Sequence, residues 1–244
     1  DGLLLLHAFP LDARMWEPQL SAFSTVVPVV APHLPGFGGS EPAGPVMSMA
    51  VAADRVLGEL EGAGIDRAVM CGLSMGGYVS LELWRRAPER FAGVILANTR
   101  AGADSGEGAA KRRALAERLL NEGTGFLAQS PPPLLSDGAP EEVRTLVRHL
   151  IGDQPAASIA AASVGMAERP DSTPDLTGID VPALVITSTG DTLIPPDVSS
   201  LMAEQIPRAR LEVIEGAGHL SNLEAPEEFN RLLELHLERC GILG

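Results

Sequence analysis

The pentapeptide Gly72-Leu73-Ser74-Met75-Gly76 leaves its surroundings little conformational freedom. An apolar run, Ala68-Val69-Met70-Cys71, precedes it, and a stretch of helical character, Gly77 to Trp84, follows. A G-x-S-x-G pattern between a strand and a helix predicts a sharp corner with the serine at its apex. At such a corner the serine backbone is strained, and Gly72 and Gly76 let the strand and helix approach each other. The Ser74 hydroxyl then stands above the carboxyl edge of a sheet. The Met75 amide points from a helix N-terminus at any negative charge that develops beside it. Small-residue pentapeptides recur by chance. The flanking strand and helix are what make Ser74 a candidate nucleophile.

A serine hydroxyl near neutral pH needs a base, and the base needs an orienting acid. Among five histidines, His219 lies in Glu215-Gly216-Ala217-Gly218-His219-Leu220-Ser221, just after the apolar segment Leu211 to Ile214. Its two glycines free the loop to turn the imidazole back towards a sheet edge. His7 ends the first apolar run and reads as a packed structural residue. His149 and His236 fall on helical stretches, where partial exposure is expected. For the acid, Asp191 ends Thr187-Ser188-Thr189-Gly190-Asp191, at the carboxyl end of another apolar run. A Gly-Asp pair by itself is an ordinary turn. With Ser74, Asp191 and His219 in that chain order, it becomes the orienting acid. An oxyanion needs two amides, and Phe9, in His7-Ala8-Phe9-Pro10 after the first strand, supplies the partner to Met75.

Apolar runs and helical stretches alternate along the chain. Leu3 to Leu6, Arg67 to Gly72, Phe91 to Ala97, Val181 to Thr187 and Leu211 to Ile214 read as strands buried by helices. Thr25 to Val30 reads as a strand that Pro28 demotes to an edge. Helices are expected near Arg14–Phe23, Met47–Ala63 and Pro226–Cys240. Residues 99–175 contain no strand signal; helices near Ala109–Asn121, Glu141–Ile151 and Ser158–Met166 surround Pro131-Pro132-Pro133. The pattern predicts an α/β fold: a mostly parallel, doubly wound sheet built from residues 1–98 and 176–244, with residues 99–175 inserted as a helical lid. Ligands of open α/β sheets bind at the carboxyl ends of the strands, beneath such a lid.

With 45% hydrophobic and 20% charged residues, the chain can bury a substantial core. Its net charge of −14 argues against nucleic acid or an anionic membrane as a partner. No apolar run approaches the roughly 20 residues of a membrane span. Leu3 to Leu6 is too short, and lacks the basic flank, for a signal peptide, so the expected location is cytoplasmic. Cys71 and Cys240 suggest no disulfide framework. No His/Cys spacing suggests a metal, and Gly36-Phe37-Gly38-Gly39 does not form a dinucleotide fingerprint, so no cofactor is expected.

These motifs together resemble the α/β-hydrolase superfamily over essentially the whole chain: His7-Ala8-Phe9-Pro10, Leu34-Pro35-Gly36-Phe37-Gly38-Gly39-Ser40, the Ser74 corner, Gly190-Asp191 and Gly216-Ala217-Gly218-His219. There are departures. Ala8 stands where members usually have glycine, His33 where they usually have aspartate, and their opening hairpin does not precede Gly2. Leu96-Ala97-Asn98-Thr99-Arg100 and Met166 to Thr173 further resemble bacterial 3-oxoadipate enol-lactonases and small carboxylesterases. The resemblance implies a cofactor-independent serine hydrolase that cleaves a small-molecule ester or lactone through an acyl-enzyme. The alternatives are a cofactor-free perhydrolase or haloperoxidase, and a ligand sensor on a hydrolase fold. Phe126 and Met166, with Met47 and Met49, are candidates for an apolar pocket. Arg100 and Arg169 are candidates to meet a substrate carboxylate. The acidity of the whole chain predicts that neutral short esters are preferred over anionic ones.

Overall fold

The computed structural model describes residues 1–244. Six strands, β1 (Gly2–Leu6), β2 (Val29–Val30), β3 (Ala68–Leu73), β4 (Phe91–Ala97), β5 (Ala183–Ser188) and β6 (Ala209–Ile214), form one sheet. Every pairing is parallel, in the order β2-β1-β3-β4-β5-β6. Parallel neighbours require crossover connections. The helices supplying them are α1 (Glu17–Phe23), α2 (Met49–Gly62), α3 (Met75–Arg86) and α8 (Pro196–Gln205), with α9 (Ser221–Glu224) and α10 (Pro226–Arg239) following β6. Between β4 and β5 the chain runs through α4 (Gly106–Glu122), α5 (Gly125–Gln129), α6 (Glu141–Gly152) and α7 (Ala156–Ala167). None of the helices is long and apolar enough to cross a membrane.

The four inner strands β1, β3, β4 and β5 are buried at every residue, which is why each reads as an unbroken apolar run. Edge strand β6 instead exposes Arg210, Leu211 and Val213 and half-buries Glu212, and its charged pair discourages pairing with another sheet edge. From β1 the chain passes to β2 on one side and then returns to β3 on the other. The crevice at the carboxyl ends of β1 and β3 is therefore the topological switch point, where ligands of such sheets sit. Two glycines bring α3 into it. A methyl group on Gly76 would lie 2.0 Å from the Leu6 carbonyl oxygen, and one on Gly72 2.3 Å from that of Gly76.

Two expectations are corrected by the structure. The strand expected at Thr25–Val30 shrinks to Val29–Val30, because the Val26 and Val27 amides turn back to the Phe23 carbonyl and extend the end of α1. Pro28 still contributes its carbonyl, which accepts from the Leu3 amide at 2.9 Å. His236 is buried, with 3% of its surface exposed. Gly93 on β4 has no side chain, and His236 of α10 and Cys240 just after it fill that space against the sheet. Burial pushes the His236 imidazole down to about 4. Helices α5, α8 and α9 are additions to the sequence reading.

The helical insertion is fastened to the sheet-bearing core. The Met47 amide donates to the Ala161 carbonyl of α7 at 3.1 Å. Gly165 lies so close that a methyl group there would sit 1.8 Å from the Met47 carbonyl oxygen. Met47 and Met49 are buried at this seam rather than in the cleft. On the opposite side, the Glu224 carboxylate accepts from the Gly218 amide at 2.9 Å and from the Ser136 hydroxyl at 2.5 Å.

Candidate active site

Ser74 sits between the end of β3 and the start of α3 with φ 56° and ψ −113°. A side-chain-bearing residue rarely occupies this region, and it persists only where the surroundings over-determine it. They do so here. The Ser74 amide donates to the Ala97 carbonyl at 2.9 Å. Its own carbonyl accepts from the Thr99 hydroxyl at 2.7 Å and from the Gly77 amide at 2.9 Å. The amides of Phe9 and Met75 have no acceptor within the protein. Phe9 lines the same cleft as Ser74, and Met75 follows Ser74 in the chain as the first residue of α3.

Across the cleft, His219 Nδ1 donates to Asp191 Oδ2 at 2.8 Å, with both side chains buried. This bond commits Nδ1 and leaves Nε2 as the nitrogen free to accept a proton. Asp191 is otherwise saturated. The Leu193 and Ile194 amides donate to Oδ1 at 2.9 Å each, and Asn98 Nδ2 donates to Oδ2 at 2.9 Å. Burial works against ionisation of this carboxyl. The hydrogen bonds from His219, Ile194 and Asn98 outweigh it and hold Asp191 below the ordinary carboxylate range. Ser74 and His219 line one cleft without a hydrogen bond between them, the looser spacing common before substrate arrives. His7 is packed: its Nε2 accepts from the Leu34 amide at 3.0 Å, and burial lowers its pKa to about 4.

The cleft encloses about 290 Å³. Tyr78, Leu115, Met166 and Ile194 give it apolar walls, and two arginines, Arg100 and Arg112, enter it. Both arginines turn on a single carboxylate. Arg100 Nη2 lies 2.5 Å from Asp104 Oδ1, and Arg112 Nε 2.5 Å from Asp104 Oδ2. Arg169 adds a third contact at 3.1 Å. Asp104 is 1% exposed, and although burial opposes its charge, the arginines keep it ionised.

Arg169 itself does not line the cleft. It lies over the Tyr78 ring at 4.0 Å and donates to the Met166 and Gly102 carbonyls at 2.8 Å each. Phe126 also lies outside the cleft lining, beneath the Arg118 guanidinium at 3.7 Å. Of the four residues singled out for substrate contact, Arg100 and Met166 reach the cleft, and Arg112 takes the place given to Arg169. Arg112 carried no sequence signal beyond a basic residue on a helix. Asn98 and Thr99 were visible as part of Leu96 to Arg100, but nothing in the sequence gave them a task.

The model of the alpha/beta hydrolase family matches residues 3–232. The 3-oxoadipate enol-lactonase 2 of Acinetobacter baylyi is 32% identical, over 98% of this chain and 89% of its own length. A pimeloyl-[acyl-carrier protein] methyl ester esterase from Aromatoleum aromaticum is 28% identical, over 95% of this chain and 96% of its own. Among solved structures, a thermophilic esterase from Thermogutta terrifontis with malate bound superposes with a TM-score of 0.95. It is 39% identical, with 98% of this chain and 89% of that chain covered.

Proposed function

Because this chain belongs to the alpha/beta hydrolase family, whose relatives here act on esters and lactones, we propose that it cleaves such a bond through an acyl-enzyme on Ser74. The observation that carries this reading is the placement of a strained, partly exposed Ser74 opposite the buried His219–Asp191 pair in one cleft. Ser74 Oγ attacks the carbonyl carbon while His219 Nε2 takes its proton. Asp191 stabilises the resulting imidazolium. The Phe9 and Met75 amides receive the tetrahedral oxyanion, which collapses as His219 returns the proton to the leaving alkoxide. Water, deprotonated by the same nitrogen, then releases the acid and restores the serine. None of these steps draws on a cofactor.

The arginine pair favours a substrate that carries a carboxylate beside its scissile bond. Three guanidiniums share the Asp104 carboxylate, so the wall formed by Arg100 and Arg112 retains excess positive charge in the cleft that Ser74 lines. Global acidity acts over long distances that salt screens, whereas a paired guanidinium acts at contact. The carboxylated substrate is therefore the better one, against the preference for neutral esters that net charge alone suggests.

A fluorophosphonate probe tests the nucleophile. It should label Ser74 alone, and Ser74→Ala should abolish both labelling and turnover of short esters. Labelling at another serine, or retained turnover in the variant, rules the assignment out. Turnover that appears only with peroxide and halide would identify a haloperoxidase. A single burst without turnover would identify a sensor.

A further inference from the structure

The end of β4 does more than hold one wall of the cleft. Asn98 follows β4 directly, is fully buried, and is absent from the cleft lining. Its backbone is left-handed, with φ 44°, and apart from Ser74 it is the only non-glycine residue with positive φ. Its amide hydrogen meets the Ile186 carbonyl of β5 at 2.8 Å. The carboxamide makes every bond it can direct at its neighbours. One Nδ2 hydrogen goes to Asp191 Oδ2 at 2.9 Å and the other to Ser188 Oγ at 2.7 Å, while Oδ1 accepts from Ser221 Oγ at 2.7 Å. Ser188 in turn donates to the Gly218 carbonyl at 2.5 Å. The loop bearing His219 is thus held at residue 218 through Ser188 and at residue 221 directly. The next residue, Thr99, grips the Ser74 carbonyl.

Resting on the reading of Ser74, His219 and Asp191 as the reacting set, we infer that Asn98 is a positioning residue that locks the Asp191 carboxylate and the His219 loop to the end of β4. The physical need is specific. A carboxylate torsion is broad and nearly two-fold, so it does not fix an oxygen by itself. The Leu193 and Ile194 amides hold Oδ1 from within its own turn. Oδ2, the oxygen that orients the imidazole, takes its only other donor from Asn98. The site requires two donors and one acceptor at one short side chain. Among the side chains that tolerate a left-handed backbone, only asparagine offers that set. Asn98 touches no substrate and acts through Asp191 and His219.

Two substitutions separate this role from a merely structural one. Asn98→Gly relieves the left-handed backbone and removes only the carboxamide. Asn98→Asp keeps the size and backbone preference but lacks the donors unless protonated. Both are measured on a neutral short ester, normalised to the fraction of Ser74 that a fluorophosphonate labels. For Asn98→Gly we expect kcat per labelled site to fall roughly 10- to 100-fold with KM within about two-fold, as for a misplaced reacting group. Without the Asn98 donor, Oδ2 presents more charge to the imidazolium, so the acidic limb of kcat/KM should move to higher pH. For Asn98→Asp, the introduced carboxyl must hold a proton to remain beside Asp191, so an alkaline limb absent from the parent should appear. Wild-type kcat per labelled site and an unmoved acidic limb in Asn98→Gly, even with a lowered melting temperature, would overturn the inference. Should Asn98→Gly fail to fold, an Asn98→Asp profile without the alkaline limb overturns it equally. Absence of Ser74 labelling in the parent enzyme would instead defeat the reading of the reacting set.

Discussion

Arg112, on the first helix of the insertion, closes on Asp104 in the loop after β4, with Nε 2.5 Å from Oδ2. Asp104 also holds Arg100 and Arg169, so one buried carboxylate organises three guanidiniums in a chain whose net charge is −14. The contact ties the start of the insertion to its first helix, and two of the three guanidiniums, Arg100 and Arg112, line the cleft.

From this pairing comes the first expected outcome. The parent enzyme should prefer an ester bearing a free carboxylate over its neutral counterpart. Arg112→Ala and Arg100→Ala should each lower kcat/KM for the carboxylated ester by about 2–4 kcal/mol in transition-state terms, and spare the neutral one. Arg169→Ala should instead lower thermal stability without changing the ratio, because its side chain is 3% exposed and bonded to backbone carbonyls. The ratio of efficiencies for the paired substrates decides this. A parent enzyme indifferent to the carboxylate would refute it.

The corner at Ser74 makes a contrast between glycines measurable. Gly76→Ala would place a methyl group 2.0 Å from a backbone oxygen of β1, which no side-chain motion relieves. It should abolish activity and prevent a cooperative unfolding transition. Gly58→Ala, in the middle of α2 with open space around it, should raise stability by roughly 0.5–1 kcal/mol. Calorimetric melting of the two variants beside the parent checks both signs.

Activity should follow the protonation of one imidazole. His219 Nε2 accepts a proton only when neutral. Efficiency with a neutral ester should therefore fall on acidification and level at higher pH. A profile that rises as the medium is made more acidic would contradict His219 as base.

Stability should respond to acid through two other histidines. Burial lowers His7 and His236 from 6.5 to about 4 in the folded protein. Between those values the unfolded chain binds the extra protons, so stability is intact above pH 6.5 and is lost as pH falls towards 4. Each histidine should cost roughly 2 kcal/mol on going from pH 7 to pH 5. His236→Gln should flatten the melting temperature over that interval, and a slope equal to the parent's would count against the burial argument.

Much of the site was legible because some of its residue types have few alternatives. A strand buried on both faces leaves an unbroken apolar run, as Leu3 to Leu6 and Val94 to Ala97 do. A serine between close-packed glycines, at the junction of such a run with a helix, has one plausible geometry. Asp191 and His219 follow their strands in loops short enough that local sequence already places them at the carboxyl edge. His236 misled because its helix is amphipathic, and the space it fills belongs to Gly93, on a strand far away in sequence.

Pattern alone therefore determined the strand–turn–helix corner, the βα alternation with its helical interruption, and the order of the serine, aspartate and histidine. These depend on backbone conformation and burial periodicity, which are properties of neighbouring residues. Tertiary structure decided which polar side chains meet. Asn98 reaches Asp191 across 93 residues and Ser221 across 123. It also decided which arginine faces the cleft: Arg112 lies in its wall, while Arg169 stacks over the Tyr78 ring outside it. Directional hydrogen bonds and ion pairs form only at contact distance, and contact between distant segments exists only once the sheet and its insertion have packed.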